Sequence, residues 1–110
     1  VYNESTIAIG PGKVQLLEAI AEACSISAAA RSPGMSYRRA WVLVDEMNRA
    51  LQTPAVNTSA GGAHGGGASL TATGEAIVRH YRSIETTARM AAAADIAALT
   101  RLLNPQGTSA

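Results

Sequence analysis

The stretch SISAAARSPGMSYRRAW, residues 25–41, holds the features that decide the fold. Three alanines are followed by Pro33 and Gly34, and a second helical pattern then begins close to two arginines. Two helices joined by a short turn that contains glycine are typical of a helix-turn-helix, and glycine adopts turn conformations that strain other residues. Alanine at positions 29 and 30 would let the two helix backbones approach closely. The stretch therefore predicts a helix-turn-helix.

The composition limits the class of protein that surrounds this stretch. The chain has 110 residues, of which 47% are hydrophobic, with no phenylalanine and a single cysteine, Cys24. This length is typical of one domain, and a core of aliphatic residues and alanine favours packed helices over an aromatic-rich barrel. One cysteine excludes a disulfide scaffold and a multi-cysteine zinc site, and Cys24 is predicted to be a small core residue. Without a leader peptide or a long apolar segment, we expect a cytoplasmic protein that does not contact a membrane.

The residues before the quoted stretch predict a short strand and a helix. Weak alternation over residues 1–9 indicates a strand that ends in a Gly-Pro-Gly turn. Apolar residues at steps of three and four predict a first helix over residues 13–24. A second, short helix is predicted over residues 28–32, with either Ser25 or Ser27 as its N-cap.

The third predicted helix begins after Ser36 and ends near Leu51. Its predicted buried face, at steps of three or four, is Ala40, Leu43, Val44, Met47 and Leu51. The opposite, exposed face is predicted to carry Arg38, Val42, Asp45 and Arg49.

The second half of the chain predicts a hairpin and a long helix. Strand-like residues at 55–59 and 68–73 flank a glycine-rich loop, which together indicate a β-hairpin. Thr73 is predicted to cap a last helix that continues to about Leu103. The predicted fold is therefore mainly α with a small β-hairpin wing, a winged helix-turn-helix followed by a long C-terminal dimerisation helix. We expect a winged helix-turn-helix at residues 1–73, the dimerisation helix at 74–104 and a flexible tail at 105–110.

The last helix carries a heptad-like apolar seam. A helix of about thirty residues is about 45 Å long, more than one small domain can cover. A matching helix of a second copy is favoured over the alternative, in which the helix end folds back as a separate short helix. A homodimer would place two recognition helices on a palindromic DNA site. The residues predicted to mediate dimerisation are Ile77, Tyr81, Ile84, Ala88, Ala91 and Leu99.

A helix-turn-helix places the start of its second helix in the DNA major groove. Arginine is suited to bidentate contact with guanine or to phosphate contact, so Arg38 and Arg39 are the main candidates. Against this, the formal net charge is only +1, and the arginines could simply form a solvated helix face, on which Asp45 and Glu46 form spaced pairs with arginines such as Arg49. Residues 31–49 nevertheless contain four arginines and two acids, which favours a local positive field. The predicted DNA-binding residues are Ser27, Ser36, Tyr37, Arg38, Arg39, Val42, Arg49, Gly62, His64 and Gly65.

A succession of short motifs resembles one known family over roughly residues 10–85. The motifs are GPGK at 10–13, LLEAI at 16–20, SISAAA at 25–30, GMSYRRAW at 34–41, DEMN at 45–48, GGAHGGGA at 61–68 and LTATG at 70–74. Together they resemble the DNA-binding domain of ModE-type regulators, which are LysR-like winged-helix proteins that respond to molybdate. The resemblance implies a dimeric transcription regulator in which the helix from Tyr37 reads an operator, possible targets being genes for molybdate uptake or molybdenum metabolism.

Two departures from the family pattern change these expectations. The family's wing commonly carries basic side chains, whereas Ser59, Ala60, Ala63 and His64 occupy this region here. Contacts from the wing are therefore expected to be weaker or to rest on backbone amides. Longer family members continue into an oxyanion-binding domain, so no cofactor is expected in this chain, and molybdate is expected only in a longer form that has such a domain.

Other functional classes receive less support from the sequence. No nucleophile–base pair or carboxylate dyad is present in the pattern, so we do not expect an enzyme. His64, His80 and Cys24 are isolated from one another in sequence, so no metal site is expected. The alternative function is a winged helix that serves protein–protein interaction or dimerisation without reading DNA.

Overall fold

Five helices and four short strands form in the part of the chain that the computed structural model describes, residues 2–3, 6–7, 9–59 and 67–103. The helices are α1 (Pro11–Ala23), α2 (Ile26–Arg31), α3 (Tyr37–Ala50), α4 (Ala72–Ala91) and α5 (Ala93–Arg101). The strands are β1 (Tyr2–Asn3), β2 (Thr6–Ile7), β3 (Val56–Thr58) and β4 (Ala68–Leu70). The chain divides into two compact units, Val1–His80 and Tyr81–Ala110, with the boundary inside α4. The predicted fold class, a mainly helical winged helix with a long helix near the C-terminal end, is confirmed.

The N-terminal residues form two strands, where one strand was predicted over residues 1–9. β1 and β2 pair antiparallel, with Tyr2 opposite Ile7 and Asn3 opposite Thr6. Pairing gives the backbone N–H and C=O groups of both segments a hydrogen-bond partner, which a lone strand would lack.

Helix α1 begins two residues earlier than the sequence pattern predicts. Pro11 is its first residue, a position that suits proline because the first N–H groups of a helix have no intrahelical partner. Its buried side chains include Val14, Leu16, Leu17 and Ile20.

Cys24 ends α1, and the prediction that it is a core residue was wrong. Its backbone has φ 60°, the left-handed conformation usual for a helix C-cap, and its N–H donates to the carbonyl of Ile20 at 2.9 Å. The thiol is exposed. The apolar spacing from Ile20 to Cys24 continues the helical pattern, but the chain leaves the helix at Cys24 and changes direction there.

Helix α2 is short and packs against both α1 and α3. Ser25, one of the two predicted caps, starts it by accepting a hydrogen bond from the N–H of Ala28 at 3.1 Å. The helix therefore begins at Ile26, two residues before the predicted start. Ala29 and Ala30 are both buried, as the close approach of neighbouring helices requires.

The turn between α2 and α3 has the predicted chemistry. Gly34 has φ 75°, a conformation that favours glycine, and its N–H donates to the carbonyl of Arg31 at 3.1 Å. Ser36 caps α3, because its hydroxyl accepts from the N–H of Arg39 at 3.0 Å. Four of the five predicted buried residues of α3, Ala40, Leu43, Val44 and Met47, are buried, and Leu51 is half-buried.

The wing is an antiparallel hairpin of β3 and β4, as predicted. Val56 pairs with Leu70 and Thr58 with Ala68. The hairpin is anchored to the end of α1, because the N–H of Ala68 donates to the carbonyl of Cys24 at 3.0 Å. Each strand keeps one residue, Val56 or Ala68, in the core.

Helix α4 is capped by Thr71, so the prediction of Thr73 as the cap was wrong. The Thr71 hydroxyl accepts from the N–H of Gly74 at 3.0 Å and donates to the carbonyl of Pro54 at 2.7 Å. These two bonds fix the helix start at Ala72 and tie it to the loop before β3. Thr73 lies inside the first turn, one residue after that start.

The last helical region is interrupted, whereas one continuous helix was predicted to about Leu103. Ala92 has φ −96° and ψ 5° and separates the 20-residue α4 from the 9-residue α5. Hydrogen bonds still cross this point, from the N–H of Ala92 to Ala88 and from that of Ile96 to the carbonyl of Ala92. The predicted tail at 105–110 lies outside the described residues.

The core of the first unit is formed by α1, α2, α3 and the hairpin. Its largest fully buried side chains are Leu16, Leu17, Ile20, Met47 and Val14. Burying an aliphatic side chain of this size contributes about 1.5–3 kcal/mol, so this cluster fixes α3 by one face and leaves its other face to solvent.

Candidate nucleic-acid interface

The first turns of α3 present polar and cationic side chains to solvent. Ser36, Tyr37, Arg38 and Arg39 are all exposed, while Ala40 directly after them is fully buried. The helix is therefore held by its apolar face, and its start projects the predicted DNA-binding residues outward. The prediction that Arg38 and Arg39 are accessible is confirmed by their exposure, whereas a contact with DNA stays a prediction.

The acidic residues of α3 are each engaged in an ion pair. Asp45 lies 3.1 Å from Nε of Arg49, one helical turn later, as predicted for this spacing. Glu46 lies 3.5 Å from Nζ of Lys13 on α1. Arg38 has no ion-pair partner among the residues that the structure describes, and the same holds for Arg39. The positive field at the start of α3 is therefore not cancelled by the acids of the same helix.

Exposed apolar side chains accompany these arginines. Tyr37 and Trp41 lie one turn apart, with ring centroids 6.2 Å apart and an interplanar angle of 77°, an edge-to-face pair. Val42 is exposed on the same side of α3 as Arg38. Tyr37, Trp41 and Val42 thus form an exposed apolar group beside the arginines of α3.

A shallow groove lies beside Arg39, between the start of α1 and α3. Its volume is about 340 Å³, and it is lined by Gly10, Pro11, Gly12, Lys13, Arg39, Leu43 and Glu46. The N-cap residue of α1 is Gly10, which has no side chain to cap the first turn. The groove thus borders a helix N-terminus, an arginine and the Lys13–Glu46 ion pair.

The remaining predicted DNA-binding residues lie on α2 and the wing. Ser27 is exposed on α2. Gly62, His64 and Gly65 lie outside the described residues. The base of the wing loop is closed by three hydrogen bonds between Ser59 and Gly67, one of which joins the Gly67 N–H to the Ser59 hydroxyl at 3.0 Å.

The predicted dimerisation residues fall on both sides of the boundary within α4. Ile77 lies in the first unit and is half-buried. In the second unit, Tyr81 is half-buried, and the others are exposed. The exposed members are Ile84, Ala88, Ala91 and Leu99.

Sequence reasoning missed three residues that position α3 and the wing. Lys13 is buried, with only 7% of its surface exposed, and its four-residue spacing to the buried Leu17 was the available signal. Asn48 binds the backbone of Ala55 and Val56 through its side chain. Thr71 joins the start of α4 to Pro54. Asn48 and Thr71 lie within the DEMN and LTATG motifs, which was the available signal.

Within residues 9–59 and 67–103, no group of three His, Cys, Asp or Glu side chains could hold a metal ion. None of the helices in the described part of the chain has the length and apolar character that crossing a bilayer requires.

Several proteins of known name match this chain, although no model of a protein family matches it. The molybdenum-pterin-binding protein MopB of Rhodobacter capsulatus is 48% identical over 85 residues, 77% of this chain. The molybdenum transport protein ModE of Azotobacter vinelandii is 42% identical over 78 residues, 71% of this chain. The DNA-binding transcriptional dual regulator ModE of Escherichia coli K12 is 39% identical over 71 residues, 64% of this chain.

The matches cover a minor part of each relative. The chain spans 32%, 29% and 27% of the length of MopB and of the two ModE proteins, respectively. The matched segment is long enough to include most of the winged-helix unit, and the identity is high for a segment of this length. Over the matched residues, this chain is a ModE-type domain.

Proposed function

We propose that this chain is a sequence-specific DNA-binding domain of a transcription regulator and that it acts as a homodimer. The arrangement of α3 carries the proposal. One face of the helix is buried through residues such as Leu43 and Met47, and the opposite side of its first turns exposes the guanidinium groups of Arg38 and Arg39. This is the geometry by which a recognition helix enters the major groove.

The charge distribution supports DNA as the partner. The formal net charge of the chain is only +1, but the acids of α3 are neutralised by Arg49 and Lys13. Arg38 and Arg39 are thus available to guanine edges or phosphates, for which the planar guanidinium fork is suited. Ser36, Tyr37 and Arg49 flank them on the same helix and complete the proposed contact set there.

The wing and α2 supply further proposed contacts. The hairpin is anchored to α1 through Cys24 and to α3 through Asn48, so its position relative to the recognition helix is fixed. Gly62, His64 and Gly65 of its loop, together with Ser27 of α2, complete the proposed DNA-binding set. Backbone amides and small polar side chains of this kind contact phosphates and set the register of a protein on DNA.

The names of the relatives support the biological role. The Escherichia coli relative is a DNA-binding transcriptional dual regulator, and the Azotobacter vinelandii relative is a molybdenum transport protein. We therefore place the proposed targets among genes for molybdate uptake or other molybdenum-related functions, with the protein acting in the cytoplasm.

The homodimer is supported by the exposed apolar residues of the second unit. None of the nine residues of α5 is buried, although the helix carries Ile96 and Leu99. A second copy of the same helical region would cover these side chains and would present two recognition helices to a palindromic site.

One observation favours a second candidate function. Tyr37, Trp41 and Val42 form an exposed apolar group on α3, and exposed apolar groups also occur at protein–protein interfaces. A winged helix that binds another protein through this face is the alternative, and the DNA-binding experiment separates the two functions.

The experiment is selection of a DNA site from a random duplex pool, followed by titration with variants. We expect the protein to enrich one palindromic sequence. Arg38→Ala should weaken binding to it by about 1–3 kcal/mol, or about 5- to 150-fold, and relax the preference at one base pair, because a bidentate guanine contact is lost. Arg79→Ala, which removes an exposed arginine from α4, is the control for net charge. Failure to enrich a sequence, or equal effects of the two variants, would reject base reading by Arg38.

A further inference from the structure

The exposed large apolar side chains of the first unit are concentrated on α3. Among the described residues up to His80 they are Tyr37, Trp41 and Val42, with 55%, 37% and 41% of their surface exposed. All three lie within six consecutive residues, on the helix that also exposes Arg38 and Arg39. Their clustering makes this surface of α3 a candidate contact surface.

Val42 differs from the two aromatic residues in what surrounds it. Tyr37 and Trp41 contact each other edge to face, so part of their apolar surface is already covered. Val42 lies one helical turn after Arg38 and on the same side of α3. On its other side follow Asp45 and Arg49, which form an ion pair and leave no net charge there. Val42 is thus an exposed apolar side chain between Arg38, which forms no ion pair with the described residues, and the Asp45–Arg49 ion pair.

The major groove of DNA offers one apolar group that fits this position. Of the four bases, only thymine places a methyl group in the groove, and small apolar side chains contact it. Four residues of helix advance by about 6 Å at 1.5 Å per residue. Successive bases of one strand lie about 3.4 Å apart, so for a helix that lies along the groove Val42 falls within about two base pairs of the base that Arg38 contacts.

We infer that Val42 is a specificity-determining residue that contacts the 5-methyl group of a thymine within about two base pairs of the base read by Arg38. This inference rests on the proposed DNA binding. It predicts that the recognised half-site contains a preferred T·A pair, selected by apolar contact and not by a hydrogen bond. Because the contact buries about one methyl group, its loss should weaken binding about fourfold.

The test removes one thymine methyl group from the DNA at a time. Each thymine of the selected duplex is changed in turn to deoxyuridine, which differs only by the missing 5-methyl group. At one thymine in each half-site, we expect this change to weaken binding of the unaltered protein about fourfold. The other thymines of the same duplex serve as internal controls. Val42→Ala should bind the thymine duplex more weakly and should be insensitive to deoxyuridine at that position.

Arg38→Ala supplies the matched control, because it weakens binding without removing the valine. It should retain the fourfold response to deoxyuridine that Val42→Ala loses. If no thymine responds, or if Val42→Ala keeps the response, the inference is overturned while specific binding to the duplex stands. If no duplex is bound with sequence preference, the inference and the proposed function are both rejected. The fold of Val42→Ala is checked by its circular dichroism spectrum and is expected to be intact, because position 42 is exposed and alanine favours helix.

Discussion

Gly74 lies in the first turn of α4, where its Cα faces the backbone of Ala55. A Cβ at this position would overlap the carbonyl oxygen of Ala55 and would lie 3.3 Å from Cβ of Leu70. A carbonyl held between Thr71 and the start of β3 cannot move aside as the end of a flexible side chain can. We expect Gly74→Ala to lower the free energy of unfolding by about 1–3 kcal/mol, as overpacking does, measured by urea denaturation.

Gly12 provides the matched control at the residue scale. It also lies in the first turn of a helix, but a Cβ there would meet nothing within 4 Å. Gly12→Ala should leave the free energy of unfolding unchanged or raise it by up to about 1 kcal/mol, because alanine reduces the freedom of the unfolded chain. Similar losses in both variants would show that the contact with Ala55 does not set the requirement for glycine at position 74.

Lys13 and Cys24 show why the burial of single residues is hard to predict from local spacing. Cys24 was predicted to be a core residue and its thiol is exposed, whereas Lys13, for which no burial was predicted, is buried. Lys13 is tolerated inside because its Nζ reaches Glu46 on α3, while its aliphatic stem packs in the interior. Neither the position of Glu46 in space nor the turn of the chain at Cys24 can be read from local spacing.

At the scale of elements, Asn48 connects α3 to the hairpin. Its Oδ1 accepts from the N–H of Ala55 at 2.9 Å and of Val56 at 3.3 Å, and its Nδ2 donates to the carbonyl of Val56 at 3.2 Å. Both partners are buried, so Asn48→Ala would leave their backbone groups without this partner. We expect a loss of about 1–3 kcal/mol in the free energy of unfolding and faster amide hydrogen exchange in β3.

Gln52 offers a control for this effect. It is exposed just after the end of α3, so Gln52→Ala should leave both the stability and the exchange rates of β3 unchanged. If Asn48→Ala destabilises the protein without changing exchange at Val56 and Thr58, its role is confined to α3, and the proposed anchoring of the wing fails.

The elements that were predicted correctly are those whose signals are local. Ser36 caps α3 and Gly34 forms the turn because hydroxyl capping and positive φ depend on a few consecutive residues. Thr71 and Thr73 are both plausible caps by sequence, and the choice of Thr71 depends on the carbonyl of Pro54, seventeen residues away. The break at Ala92 lies in a run of alanines, which carries no glycine or proline to mark a helix end. The exposure of the DNA-binding candidates on α3 followed from periodicity, whereas the ion pair that neutralises Glu46 is non-local.

At the scale of the whole molecule, the second unit exposes several large apolar side chains. Ile84, Met90, Ile96, Leu99 and Leu102 are all exposed, and the described residues of α5 include no buried side chain. An isolated helical region of this kind gains stability by covering such a surface, since most helical stability in proteins comes from packing an apolar face.

Two adjacent substitutions in α5 test whether this surface forms the proposed homodimer contact. Leu99 is 65% exposed on the side of α5 that carries Ile96, and Ala98 lies on a different side of the same turn. Leu99→Asp should shift sedimentation from dimer to monomer at micromolar concentration, because it places a charge within the apolar contact. It should also weaken binding to the palindromic duplex at least tenfold while binding to a half-site is unchanged, because linked sites gain from their high effective concentration.

Ala98→Asp adds the same charge and should leave both measurements close to those of the unaltered protein. A monomeric unaltered protein, or equal effects of the two substitutions, would rule out pairing through this face of α5.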